Sequence, residues 1–167
     1  TMLIGVDIGT GGTKAVVFDK NGVMLGDGFK EYGVISPHPA WAEQWPDVWL
    51  DGVVSTVREA LDKSGLPPSE ILAIAISGLY SGSGVPVDRE LRPIRPCMIW
   101  MDRRARKETQ WVKDNVPLDT IFGITGNYVD SYYGFTKMMW MRDNEPDLWK
   151  RTYQFVTAKD YVIQRFT

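Results

Sequence analysis

One cysteine, Cys97, and one histidine, His38, occur among 167 residues. A lone cysteine excludes an internal disulfide, and one residue of each kind cannot complete a structural zinc site. Cys97 stands beside Met98, Ile99 and Trp100, so a buried thiol is expected. No charge sign dominates: 19 Lys and Arg face 21 Asp and Glu, for a net charge of -2. Without a broad basic field, nucleic acid is not expected as a partner. No uninterrupted apolar run approaches the ~20 residues that cross a bilayer. The amino terminus reads at once as a core strand rather than a signal peptide. A cytoplasmic protein without a membrane partner is expected. Repeats, low-complexity tracts and flexible linkers are also missing, and the length suits one domain with a real core.

The two commonest phosphate signatures are absent as well. A P-loop sets Lys and then Ser or Thr directly after its last glycine. Here the order is Gly12-Thr13-Lys14-Ala15, and Ala15 offers no hydroxyl. A dinucleotide fingerprint needs a small residue three places after its second glycine, at a helix start. Counted from Gly11, that place is Lys14, and Ala15-Val-Val-Phe18 favours a strand. What stands there instead is an apolar run ending in Asp7, a turn Gly9-Thr-Gly-Gly12, then Lys14 and a second apolar run. A carboxylate in an apolar strand is costly unless something binds it. An acid beside a bed of backbone N–H groups suits a nucleotide phosphate and its metal ion. On residues alone, a plain glycine-rich hairpin remains open, as does an outward Lys14 paired with Asp19.

Strands are expected at Leu3–Ile8, Lys14–Asp19 and from Val23 toward Tyr32, antiparallel, with a hairpin turn at Asn21-Gly22. Trp49, Val53, Val57, Ala60 and Leu61 recur at helical spacing, so a helix is expected from about Pro46 to Lys63. Pro67 and Pro68 forbid its continuation. Ile71–Ile76 is continuously apolar and reads as a central strand buried on both faces. Short extended segments follow at Val85–Val87 and Pro93–Trp100. Helices are expected at Arg104–Asp114, Leu118–Phe122, Gly134–Arg142, Pro146–Arg151 and Ala158–Phe166, with a short strand at Tyr153–Val156. The basic cluster Arg103–Lys107 reads as a solvated helix start with one Arg used functionally. Phe135, Met138 and Met139 read as core. The sum is a mixed α/β domain.

Five segments in order, Asp7–Lys14, Pro39-Ala-Trp-Ala-Glu-Gln44, Ile76-Ser-Gly-Leu-Tyr-Ser-Gly82, Trp100-Met-Asp-Arg-Arg104 and Thr125–Trp140, resemble the FGGY carbohydrate kinases. That family belongs to the actin-like, ribonuclease-H-like ATPase superfamily. The resemblance covers nearly the whole chain and is most like xylulose kinases. It implies a five-stranded mixed sheet with three leading antiparallel strands and flanking helices, here truncated. It implies ATP and Mg2+ as cofactors, and a small sugar or polyol as partner. Asp7 becomes the magnesium-side carboxylate. Gly9, Gly11 and Gly12 allow close backbone approach and positive φ, and Thr10 and Thr13 add hydroxyl donors. Lys14 becomes a catalytic point charge on the transferring phosphoryl, where glycerol-kinase-like members commonly carry Arg.

On the acceptor side the resemblance points to Tyr80, Ser81, Trp100, Asp102 and Tyr132. Tyr80-Ser81 stands where glycerol kinases carry an Arg-Glu pair, which lowers glycerol as a substrate. Trp100 could pack a sugar face, and Asp102 could accept paired hydroxyls or cap the next helix. Tyr80 and Tyr132 could equally be packed aromatics. Arg103 or Arg104 is expected to fix its loop by pairing with an acid. Lys137 matches the family's helix lysine by position, with no catalytic role assigned. Family members are much longer, with two actin-like domains and catalysis in the cleft between them. The second, ATP-binding domain and the catalytic-base Asp are therefore expected beyond residue 167. The fragment alone is expected to be inactive and to expose an apolar face prone to self-association. Xylulose leads the substrates, with gluconate, ribulose and related polyols open. A non-catalytic sugar-binding domain, another actin-like sugar kinase and a homodimer of the full-length enzyme also stay open.

Overall fold

A computed structural model describes residues 2–167. The chain divides into two compact units. The first comprises residues 2–34, 45–80 and 157–167, and the second residues 35–44 and 81–156.

In the first unit, β1 (Met2–Ile8), β2 (Gly12–Asp19) and β3 (Met24–Glu31) form consecutive antiparallel pairs. Alternation decides the faces: Ile4, Val6, Ile8, Ala15 and Val17 are buried, while Leu3, Asp7 and Lys14 are exposed. The turn after β2 is held by Asp19, whose carboxylate accepts the Asn21 and Val23 amides at 2.8 Å each. Register places Lys14 opposite Asp7 and Asp19 opposite Met2, so a Lys14–Asp19 pair is excluded. Helix α1 (Asp47–Ser64) buries Trp49, Val53 and Ala60, and Gly65 ends it at φ +68°.

Strand β5 (Ile71–Gly78) pairs parallel with β1, giving the sheet order β3-β2-β1-β5. It is an edge strand, not a central one: Leu72 is 73 % and Ile74 50 % exposed. A continuous apolar run signals a strand meant to be covered on both faces, but it cannot say which residues do the covering. Among the described residues this sheet has four strands. Helix α6 (Ala158–Phe166) starts with a reciprocal Thr157–Asp160 capping box. Its Tyr161 hydroxyl donates to the Asp47 carboxylate of α1 at 3.0 Å. Beside it, Val53, Val57, Ile74, Ile76, Ile163 and Phe166 line an open apolar groove. The expected exposed apolar face is therefore present on β5 and α6.

In the second unit, β4 (Glu43–Gln44) pairs with β7 (Cys97–Met98), and β6 (Val85–Val87) with β8 (Gln154–Val156), both antiparallel. Helices α2 (Arg106–Asn115), α3 (Leu118–Thr125), α4 (Gly134–Asn144) and α5 (Pro146–Arg151) fall within a few residues of expectation. The buried face of α4 differs. Gly134, Thr136, Lys137 and Met141 are buried, whereas Phe135 is exposed and Met138 and Met139 are half-buried. Among the described residues no helix is long and apolar enough to cross a membrane.

Candidate functional site

In the first unit, β1 and β2 deliver Asp7 and Lys14 as direct cross-strand neighbours on the open face of the sheet, away from α1. Ser77 of β5 lies opposite Asp7 on the same face. Gly5, Val16 and Phe18 continue that shallow surface. The turn above it is tight: the Gly9 amide donates to the Gly12 carbonyl at 2.8 Å. A Cβ at Gly9 would lie 2.9 Å from the Gly12 oxygen, and one at Gly12 would lie 2.7 Å from the Lys30 oxygen. Neither residue, nor Gly11, has positive φ, contrary to expectation. Space rather than backbone handedness calls for glycine here. Gly11 is exposed with open space around it, so a ligand can approach its backbone. Thr10 is half-buried at the turn.

The expected phosphate contact from the Thr13 hydroxyl is not met. Thr13 is fully buried, because β2 turns it toward α1, and its Oγ1 lies 3.0 Å from the Tyr32 hydroxyl. Tyr32 was not singled out by sequence. Its hydroxyl donates to the Gly9 carbonyl at 2.8 Å, and its own amide donates to the Gly11 carbonyl at 3.1 Å. It thus buttresses the turn from beneath. Burial pushes its phenol above the ordinary range, opposed by the Thr13 hydrogen bond and reinforced by the negative charge of Asp7. One exposed carboxylate beside a glycine turn fits magnesium, which keeps most of its waters and takes one or two protein carboxylates beside phosphate. Tyr80, at the end of this unit, is 45 % exposed.

In the second unit, two glycines draw together the segments that carry Ser81, Trp100 and Tyr132. A Cβ at Gly82 would overlap the Met98 carbonyl oxygen and lie 2.7 Å from the Ile99 carbonyl carbon. A Cβ at Gly134 would overlap the Gly82 carbonyl oxygen. The Ser83 amide donates to Met98 O at 3.0 Å, and Cys97 Sγ donates to Ser81 O at 2.8 Å. Ser81, Trp100 and Tyr132 are therefore carried on three segments packed backbone to backbone. Ser81 is buried, and Trp100 and Tyr132 are half-buried with ring centroids 6.2 Å apart. The Arg103 guanidinium stands 5.5 Å from the Tyr132 ring centroid and pairs with Asp130. Asp130 Oδ1 in turn accepts the Tyr132 amide at 2.7 Å. Cys97 is fully buried, and burial pushes its thiol up to about 12, which leaves it an unreactive packing group.

Asp102 neither faces an open surface nor caps α2, whose N-cap Ala105 receives no side-chain bond. It is fully buried. Oδ2 accepts the Ala42 amide at 2.7 Å and Arg104 Nη2 at 2.7 Å, and Oδ1 accepts the Arg104 amide at 3.0 Å. Arg104 also donates to Glu43 Oε1 at 2.6 Å, and Glu43 pairs with Arg95. Arg95 reaches Glu145 at 3.3 Å. The Arg104 guanidinium lies 3.5 Å over the Trp41 ring and 4.8 Å from Trp140. An acid pair is expected for one of Arg103 and Arg104; both are paired, Arg103 with Asp130 and Arg104 with Asp102. The buried pair and its network tie Trp41-Ala-Glu43 to the segment carrying Trp100.

Lys137, to which no role was assigned, is also fully buried. Its Nζ donates to the Ser131 and Tyr132 carbonyls at 2.6 Å each. Burial pushes its ammonium down to about 8; Asp102 opposes that shift and Arg103 adds to it.

The profile of the FGGY family of carbohydrate kinases, N-terminal domain, matches residues 2–167. A xylulose kinase of Staphylococcus xylosus is 30 % identical over 165 residues, covering 99 % of this chain and 34 % of that protein. A glycerol kinase of Rhizobium meliloti is 34 % identical over 170 residues, with the same two coverages of 99 % and 34 %. The crystal structure of a xyloylose (xylulose) kinase from Brucella ovis superposes with a TM-score of 0.90 at 31 % identity, covering 98 % of this chain and 34 % of its own. The chain therefore spans about a third of the length of these relatives.

Proposed function

Because the chain belongs to the FGGY family of carbohydrate kinases, through its N-terminal domain, we propose that it supplies the phosphate turn and much of the acceptor surface of an ATP-dependent kinase. The acceptor is a ketose, polyol or sugar acid, and xylulose is the first substrate to try. One observation carries the reading: register sets Asp7 and Lys14 side by side on an open sheet face, at the mouth of the glycine turn.

In the proposed reaction an acceptor hydroxyl oxygen forms a bond to the γ-phosphorus as the bond to the β,γ-bridging oxygen breaks and ADP leaves. The hydroxyl proton passes to a carboxylate outside residues 1–167. Bound magnesium supplies neutralisation of phosphate charge, and Asp7 is the residue that would hold it through ordered water. The exposed Gly11 backbone and Thr10 would line the phosphates, and the Lys14 ammonium would stand against the transferring group. In the second unit Trp100 and Tyr132 present half-buried rings suited to the apolar face of a sugar, with Ser81 as a hydroxyl partner; Tyr80 of the first unit is a further candidate, taken by itself. Asp102 serves this surface indirectly, by fixing Arg104 and the Ala42 backbone.

The test is ADP release by the full-length gene product with ATP, magnesium and a panel of pentuloses, hexonates and polyols. Release that depends on one acceptor establishes the kinase and names the class. Folded, ATP-binding protein that stays silent across the panel would refute the reading in favour of a sugar-binding or regulatory domain.

A further inference from the structure

We propose that Lys137 is a positioning residue for the sugar acceptor: its ammonium clamps the Ser131–Tyr132 turn from within and so fixes the Tyr132 ring beside Trp100. The inference rests on the acceptor surface proposed above.

Lys137 sits in the first turn of α4 and is fully buried. Both facts disfavour a cation, since burial removes its hydration and the helix start carries positive partial charge. The compensation is local and directed. Both Nζ hydrogen bonds, at 2.6 Å, go to consecutive carbonyls of one turn, those of Ser131 and Tyr132. Charge-assisted bonds of this kind are stronger than neutral ones. On its other sides the same turn is held by Asp130, which accepts the Tyr132 amide and pairs with Arg103, and by the seating of Gly134 on the Gly82 carbonyl. Lys137 also feels the charge of Asp102, whose carboxylate orders the segment bearing Trp100. A lysine that merely filled volume would need no ammonium, because methionine occupies nearly the same space.

The experiment compares wild type, Lys137→Met, Tyr132→Ala and the double variant in the full-length protein, with the acceptor phosphorylated fastest by wild type. Lys137→Met should raise the acceptor KM roughly tenfold, the scale of one charge-assisted bond, and leave the KM for ATP within about twofold. The double variant should be no worse than Tyr132→Ala alone, since a group acting through Tyr132 has nothing further to lose. Additive effects, or equal rises in both KM values, would overturn the proposal. Should the Met variant fail to fold, Lys137→Gln, which keeps an N–H donor without charge, carries the same comparison; failure of both to fold overturns the proposal in favour of a fold-only lysine. Hydrogen exchange supplies a readout independent of activity. Amides of residues 131–134 should exchange faster in the variant, with those of β1, β2 and α1 unchanged. If wild type phosphorylates no acceptor, the kinase reading fails, and unchanged exchange in this turn is what would overturn the clamp.

Discussion

Replacing Gly82 by alanine separates backbone handedness from close approach. Gly82 has φ +59°, in the left-handed region, so any Cβ there costs about 1–2 kcal/mol. The new methyl would also lie 2.7 Å from the Ile99 carbonyl carbon and overlap the Met98 oxygen. Ordinary contact begins near 3.4 Å, so the backbone must yield by more than half an ångström, a forced shift costing about 1–3 kcal/mol. Together these predict a loss of about 2–5 kcal/mol, or a fall in Tm of roughly 5–20 °C for a chain of this size. Gly126 is the control within the same unit: φ is +69°, and a Cβ there meets nothing within 4 Å. Gly126→Ala should therefore cost only the handedness share, about 1–2 kcal/mol. Thermal and urea unfolding of the two variants measures the difference. The displaced segment leads into Trp100, so Gly82→Ala should also weaken acceptor binding, which Gly126→Ala should spare. Equal destabilisation by both substitutions would refute the idea that backbone contact at Gly82 assembles the acceptor surface.

Three other outcomes are expected. Lys14→Met in the full-length protein should lower kcat by about 10²-fold or more with little change in acceptor KM, because the charge is needed as phosphate charge redistributes; steady-state kinetics with both substrates varied checks it. Arg104→Leu should destabilise by about 3–5 kcal/mol in urea unfolding, since it removes the guanidinium that pairs with the buried Asp102 and leaves Glu43 with Arg95 alone. Lys137 titrates near 8 in the fold, against an ordinary 10.5. Between about 8 and 9 the unfolded chain holds a proton that the native chain has released, so stability should rise with pH there and show no such slope below 8; above about 9 the buried Cys97 thiol, pushed from 9.0 up to about 12, keeps a proton that the unfolded chain gives up and opposes the rise. The slope should vanish in Lys137→Met, as measured by unfolding in a pH series.

Local signals carried the strand and helix assignments because they act over a few residues. The Asn21-Gly22 turn, the helical spacing of Trp49, Val53 and Ala60, and the stop at Pro67-Pro68 each name their element directly. Asp7 and Lys14 stand out for the same reason, as charged residues in two apolar runs flanking a glycine turn. Distance explains what was not. The cluster Arg103–Lys107 reads as a solvated helix start, yet Arg104 is buried because its acid partner, Glu43, stands 61 positions earlier. Asp102 looks available until the Ala42 amide and the Arg104 guanidinium are seen to occupy its oxygens. Thr13 looks like a phosphate donor until α1 and Tyr32 enclose it. Each misreading concerned a polar side chain whose partner comes from another element. A buried polar group must find such a partner, and nothing in its neighbours along the chain says where. The same holds for Lys137. Its placement four residues after Tyr133 suggests only a surface helix turn, whereas its burial turns it toward the carbonyls of the turn just passed. Among these residues Asp102, Arg104 and Lys137 are the ones that fix the segments bearing the proposed acceptor rings, because holding a ring in place requires polar contacts buried behind it.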